Sequence, residues 1–261
     1  MKRILVLSGS NRKNGIGIKT LEMFKSNFSE AEYEFETVHL GDYEINFCKG
    51  CTVCFKIGAE KCPLKDDVGL IVEKMEKADG LIIITPVYEM NVSAQLKAFL
   101  DRTAHLLHRP KLYKKHAFII VSTDVAGAKP VSGYLKYMMN AYGINNTGSV
   151  GVCSYLFKSS ESYKNELERK LLKKSEKFAS ELQREEFYQP SFSQLVRFKG
   201  WQTKNLWSKD IYPEDFRYWK EQGWLESEYY YPIKLGGVKK LVIKLISMRM
   251  SSMLKKKVGK N

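Results

Sequence analysis

Four of the five cysteines in this chain of 261 residues fall in one stretch, "CKGCTVCFKIGAEKCP", with the spacing Cys48-x2-Cys51-x2-Cys54-x7-Cys62. Thiols clustered this way serve one of three chemistries: a disulfide-stapled patch, a zinc site, or the ligands of an iron-sulfur cluster. At 44% hydrophobic and 12% aromatic residues the chain can bury a core without staples, which weakens the disulfide reading. The opening "MKRILVLSGSNRKNG" does not read as a signal peptide, because its apolar run is short and polar sequence follows at once. A cytoplasmic location is expected, where thiols stay reduced and clustered cysteines act as metal ligands or redox groups.

Three further stretches carry groups suited to a ligand: "SGSNRKNGIG", "TPVYEMNVS" and "STDVAGAKP". The first offers hydroxyls, backbone N–H groups and the start of a helix, a combination that suits a phosphate. It lacks the Lys-Ser/Thr ending of a P-loop and the G-x-G-x-x-G of a dinucleotide site, so a single phosphate monoester fits better. The second sets Tyr88, Glu89 and Met90 after a proline-fixed turn, where an aromatic ring and a backbone edge suit a flat, partly apolar ring. Small residues and Gly127 in the third would let such a ring approach the backbone.

These loops need a scaffold that brings them together. "RILVLS", "GLIIIT" and "HAFIIVS" read as strands buried on both faces, "YEFETVHL" as a more exposed strand, and a fifth strand is expected within Asn145 to Val152. Helical patterns over Ile18 to Asn27, Asp67 to Lys77, Ala94 to Leu107 and Val131 to Tyr142 lie between them. This rhythm predicts an α/β fold with a parallel sheet, whose ligand lies at the carboxyl ends of the strands. The three loops follow the first, third and fourth strands and converge on that edge.

Taken together, these residues resemble the flavodoxin-like family of NADPH-dependent FMN reductases over roughly residues 1 to 180, through "ILVLSGSNRKNG", "KADGLIIITPVYEMNVSAQLKAFLDRT" and "STDVAGA" in that order. The resemblance implies a doubly wound five-stranded parallel sheet of order 2-1-3-4-5 that binds FMN. Ser8, Ser10, Asn11 and Arg12 would surround the flavin phosphate, with Gly15 and Thr20 in the same turn. Here "NGIGIKT" delays the hydroxyl to Thr20, and backbone N–H groups could substitute for it. Pro86, Val87, Tyr88, Glu89 and Met90 would run along the isoalloxazine, with Tyr88 and Glu89 shaping the pocket over it, and Thr123, Asp124 and Gly127 would contact it from the fourth strand.

The cysteine spacing narrows the resemblance to iron-sulfur flavoproteins, which implies Cys48, Cys51, Cys54 and Cys62 as ligands of a 4Fe-4S cluster. A C-x2-C-x2-C run can wrap three corners of a cubane while a later cysteine supplies the fourth, whereas zinc more often uses two separated pairs. The alternative of thiols that only shape a loop stands beside it. The function implied is an FMN-dependent oxidoreductase that passes electrons between NAD(P)H or a ferredoxin-like carrier and an acceptor. A cluster-free NAD(P)H-dependent flavin or quinone reductase and a non-enzymatic flavodoxin-like carrier are the alternatives. The flavin carries the chemistry, so no catalytic side chain is expected. His39, His105, His108 and His116 are read as surface or cap residues, Cys153 as core, and Lys97, Asp101 and Arg102 as a structural ion-pair group.

Two domains are expected: residues 1–187, including the cysteine loop 48–62, and a C-terminal extension 188–261. All four tryptophans fall in "GWQTKNLWSKDIYPEDFRYWKEQGW", followed by "YYYP", too aromatic for a disordered linker. This segment is expected to pack on the first domain or on a second subunit of a homo-oligomer, where it could roof the neighbouring flavin. Of the net charge of +14, nine Lys or Arg and no acid lie from Pro232 onward, leaving +5 for the rest and no global nucleic-acid surface. Val238, Leu241, Val242 and Leu245, with lysines between them, predict a basic amphipathic helix over 238–257 that could meet an anionic membrane or an acidic partner. The other expected partners are a redox carrier or a small-molecule acceptor.

Overall fold

The computed structural model of the protein describes residues 1–258, with the side chains of Val238 and 254–258 outside the described set. The chain divides into two compact units. Met1–Lys49, Leu64–Ala104 and Lys111–Glu185 form the first, and Gly50–Pro63, His105–Pro110 and Glu186–Asn261 the second.

In the first unit, strands β1 (Lys2–Ser8), β2 (Tyr33–His39), β3 (Gly80–Pro86), β4 (His116–Thr123) and β5 (Asn145–Cys153) form one parallel sheet. Their order is β2-β1-β3-β4-β5, the doubly wound flavodoxin-like arrangement. The continuous apolar runs become the three central strands, because only strands covered on both faces can bury every side chain. On one face, Ile4, Val6, Ile82, Ile84, Phe118 and Ile120 meet Leu21 and Phe24 of helix Ile16–Lys25 and Leu167, Leu171 and Phe178 of helix Glu161–Gln183. The rings of Phe24 and Phe118 stack there at 4.5 Å. Strand β2 is one of the two edges, and it exposes Glu34, Glu36 and Thr37.

The helix expected over Ala94 to Leu107 stops at Arg102. Thr103, the residue after it, is wholly buried; its hydroxyl reaches Phe99 O and shares a 2.9 Å hydrogen bond with the Tyr142 hydroxyl. His105–His108 forms a separate helical turn that belongs to the second unit.

The second unit is built on helices Phe192–Trp207 and Pro213–Glu221. A Ser191/Gln194 capping box opens the first, and Pro213 at the first position opens the next. Their aromatic residues, with those of the segment that follows Glu221, make this unit's own core. Trp219, Trp224, Phe198 and Tyr229 to Tyr231 are buried, with edge contacts such as Phe198–Tyr230 at 4.8 Å and Trp219–Trp224 at 5.5 Å. Their polar tips are satisfied within the unit: Trp224 Nε1 donates to Tyr230 O, Gln202 Nε2 to Trp224 O and the Tyr231 hydroxyl to Tyr188 O. Trp219 and Trp224 are therefore spent on packing and are not offered to a neighbouring flavin.

The terminal basic segment is a helix, Gly237–Val258, as its sequence predicts, and the face it buries is not the stripe named from sequence. Ile243 is buried, whereas Leu241, Val242 and Leu245 are exposed. Val238, the fourth residue of the expected stripe, has its side chain outside the described residues.

Candidate functional site

The carboxyl ends of β1, β3 and β4 open, within the first unit, into a cleft of about 270 Å³. Ser10, Arg12, Gly15, Pro86, Val87, Tyr88, Thr123 and Asp124 line it, which brings eight of the fourteen flavin-site residues named from sequence to one place. Asn14, Ile16, Gly17, Lys19, Ser122, Ser154 and Lys158 line it as well. Ser154 and Lys158 lie on a short helix, Ser154–Ser159, directly after β5. The rule that ligands gather at strand ends could have pointed to them, but no local motif marks them.

The first loop is organised by its own serines. Ser8 is wholly buried and its Oγ accepts from Ser10 N at 3.3 Å, while Ser10 Oγ accepts from Arg12 N at 3.2 Å. Helix Ile16–Lys25 then starts at Gly15 with no side-chain cap, so its first N–H groups are presented without one. Arg12, Lys19 and Lys158 face the same cleft, against Asp124 as the one acid among the described lining residues. An uncapped helix N-terminus with three cations fits a phosphate monoester, by both dipole and charge. Asn11 is exposed on this loop. Thr20 is wholly buried and spends its hydroxyl on Ile16 O at 2.8 Å.

In the second loop, Tyr88 and Asn91 pair through Tyr88 N to Asn91 O at 3.0 Å and Asn91 N to Tyr88 O at 2.9 Å. The two residues between them are left-handed, Glu89 with φ 47° and Met90 with φ 59°. Side chains at such positions cost about 1–2 kcal/mol each, so this tip is held under strain at the rim of the cleft. Met90→Gly is expected to raise stability by about 0.5–1 kcal/mol, since glycine adopts this conformation freely but is also freer when unfolded. The urea midpoint at constant slope measures it; an unchanged or lower midpoint would show that the turn carries no strain.

The third loop folds on itself, with Thr123 Oγ1 donating to Ala126 O. Gly127 has φ 93°, and a Cβ there would sit 2.6 Å from Val87 Cγ1 and 3.2 Å from Met90 Sδ. The open space at this glycine is thus filled by the second loop. Cys153, expected in the core, is half-buried at the end of β5, where its thiol donates to Asp124 O at 3.0 Å.

The stems of the cysteine loop are also fixed within the first unit. Lys97, rather than the adjacent Arg102, is the cation seen on Asp101. Arg102 forks onto Asp66, with Nη2 3.0 Å from Oδ1 and Nη1 against Oδ2, and it also donates to Asn46 O. The Asp66 and Arg102 side chains are 1% and 5% exposed. Asp66 further accepts from Asn46 N at 2.9 Å, and Asp67 joins Glu44 through both backbone and side chain. Burial alone would push the Asp66 carboxyl up; the Arg102 fork and the Asn46 and Val68 N–H groups outweigh it and hold the carboxyl below its usual range.

The loop's tip is braced within the second unit. Gly50 and Thr52 are left-handed, and the helical turn Val53–Lys56 follows. Arg109 Nη2 donates to Cys54 O at 2.7 Å, and its Nη1 lies 3.0 Å from Asp215 Oδ1. His108, expected on a surface, stacks on Phe55 at 4.0 Å and places Nδ1 2.5 Å from Asp215 Oδ2. Asp215 is wholly buried and also takes Lys204 Nζ at 2.9 Å, while Lys204 lies over the Tyr212 ring at 4.4 Å. Burial holds both His108 and Lys204 below their usual ranges, against the upward pull of Asp215. No motif links His108 to a carboxylate that follows it by 107 residues.

Cys48 and Cys51 are exposed, and Cys54 and Cys62 are half-buried. The donor chemistry suits iron, but among the described residues no three His, Cys, Asp or Glu side chains converge into a group that could hold a metal ion.

The chain matches the family described as NADPH-dependent FMN reductase over residues 2–155. It is 36% identical over 149 residues to an iron-sulfur flavoprotein of Archaeoglobus fulgidus, covering 57% of this chain and 66% of that one. It is 29% identical over 227 residues to an iron-sulfur flavoprotein of Clostridioides difficile, covering 84% of this chain and 98% of that one. The chain spans 48% to 66% of the length of the first three curated relatives it matches. In fold it is similar to RosB, crystallised with 8-demethyl-8-formylriboflavin-5'-phosphate, with TM-score 0.55 and 14% identity over 91% of this chain and 92% of that one.

Proposed function

Since this chain belongs to the NADPH-dependent FMN reductase family, we propose that it binds FMN in the cleft of its first unit and works as an oxidoreductase. Electrons would pass between NAD(P)H or a ferredoxin-like carrier and an acceptor. The observation that carries this reading is the uncapped helix N-terminus at Gly15, beside Arg12, Lys19 and Lys158. FMN, when bound, supplies the chemistry, because it can take a hydride or single electrons. The chain's own residues hold it: the first loop and helix N-terminus take the phosphate, Pro86 to Met90 lie along the ring, and Thr123, Asp124 and Gly127 border it from β4.

Cys48, Cys51, Cys54 and Cys62 are proposed as ligands of a 4Fe-4S cluster, on the strength of their spacing and of the relatives' names. A cluster-free flavin or quinone reductase is the second reading, favoured by the open arrangement of the thiols. One preparation separates them: anaerobic purification, a visible spectrum, and FMN, iron and sulfide quantified per chain. The expected result is flavin with about four iron and four sulfide, the metal lost in Cys51→Ser and the flavin kept. Flavin without iron would establish the second reading, and NAD(P)H oxidation would then divide a reductase from a carrier. Neither flavin nor iron would sink both. In the same preparation, Arg12→Ala with Lys158→Ala is expected to weaken FMN at least about tenfold, through lost charge-assisted contacts to the phosphate.

A further inference from the structure

Helix Gly237–Val258 is apolar on two sides, and only one of them is used. Its inner side carries Ile243, 3% exposed, with Ile246 and Met250 half-buried at the same helical phase. That side lies against helix Phe192–Trp207, where a Cβ on Gly200 would come within 3.0 Å of Met250 Cε. Opposite it, Leu241, Leu245 and Met248 repeat at i, i+4 and i+7 and are 58%, 56% and 60% exposed. Lys244 flanks this stripe on one side and Arg249 on the other, both exposed.

We propose that this outer stripe is a docking surface for an anionic lipid bilayer, with the helix lying in the plane of the headgroups. Apolar side chains there would enter the acyl boundary while Lys244 and Arg249 reach back to phosphates, the arrangement of an interfacial helix. A spanning role is excluded for this helix, because no helix among the described residues is long and apolar enough to cross a membrane. Charge selects the occupant. From Pro232 onward the chain has nine cations and no acid, so a second copy laid on this face would meet like charge, whereas an anionic leaflet attracts every one of them. Glu228, which pairs with Lys240 at 2.6 Å, neutralises one of these cations and leaves Lys244 and Arg249 beside the stripe.

The test uses the full chain in co-sedimentation with vesicles of phosphatidylcholine, with and without phosphatidylglycerol. Binding is expected to the mixed vesicles, to fall at least about tenfold without the anionic lipid, and to weaken at high salt. Leu241→Ser, Leu245→Ser and Met248→Ser combined should remove most of it, and because these side chains are exposed the variant should keep its circular dichroism and its melting temperature. Three results would overturn the proposal: no binding to mixed vesicles, binding unchanged in the triple variant, or a chain that self-associates through this face and is dissociated by the triple change. Salt-sensitive capture by an acidic polypeptide without vesicle binding would also overturn it, assigning the surface to a protein.

Discussion

Asp215→Ala is expected to cost about 3–5 kcal/mol and to release the cysteine loop, the largest single-residue effect anticipated in the second unit. One wholly buried carboxylate answers Arg109, Lys204 and His108, so its removal leaves a buried guanidinium, a half-buried ammonium and an imidazole without their shared acceptor. Breaking one side of a buried pair costs more than the pair contributes, because the charge left behind has no solvent. The loop follows from the same geometry: Arg109 reaches Asp215 with one nitrogen and Cys54 O with another, and His108 offers Phe55 its ring face. Faster alkylation of Cys54 and proteolysis within residues 50–63 would be the local signature, and a lower denaturation midpoint the global one. Asp215→Asn keeps the shape and one acceptor oxygen and should fall between. If both variants alkylate at the parent rate, Asp215 does not brace the loop.

Asp66→Ala is expected to cost a similar amount, about 3–5 kcal/mol, in the first unit. It strands Arg102 at 5% exposure and unties Asn46 and Val68, the backbone on either side of the cysteine loop. Arg102→Ala should match it within error, and the double variant should cost much less than the sum, since the two remove the same interaction. The pH dependence has a definite sign. The Asp66 carboxyl titrates lower when folded than when unfolded, so its contribution is complete above the unfolded value of about 3.9 and is lost as pH falls through the folded one. Acid unfolding followed at several pH values should therefore show a shallower decline in Asp66→Ala than in the parent; parallel curves would refute the assignment.

Much of the first unit is legible in the order of residue types. β1, β3 and β4 are runs with no polar alternation, which can exist only between two layers, and the loops after them carry the small and hydroxyl residues that a ligand needs. What escapes the sequence is set by distant partners. The periodic pattern after Ala94 continues past Arg102, yet the helix ends there, and Thr103 meets Tyr142 from 39 residues away. His108 looks like an exposed helix residue until Asp215 and Phe55 are placed around it. Arg102 has an acid next to it in sequence, yet finds a better fork in Asp66. In the terminal helix, Leu241, Leu245 and Met248 form as good a stripe as Ile243, Ile246 and Met250, and periodicity alone cannot choose which of two apolar faces packs inward.

The second unit draws on three separated lengths of chain, Gly50–Pro63, His105–Pro110 and Glu186 onward. This sets an order of events during synthesis. The sheet has all of its strands once Cys153 has left the ribosome, and the α/β unit can close around helix Glu161–Gln183 soon after. The cysteine loop must wait longer, because Asp215 and Trp219 are made more than a hundred residues after the His108 and Arg109 they secure. Until Asp215 and Trp219 have been made, the tip of the loop lacks these partners and its thiols are open to oxidants and to stray metal. Anything loaded onto that loop in its final geometry is loaded after Trp219 has been made, and chains released before that point would carry a finished sheet with an unguarded run of cysteines.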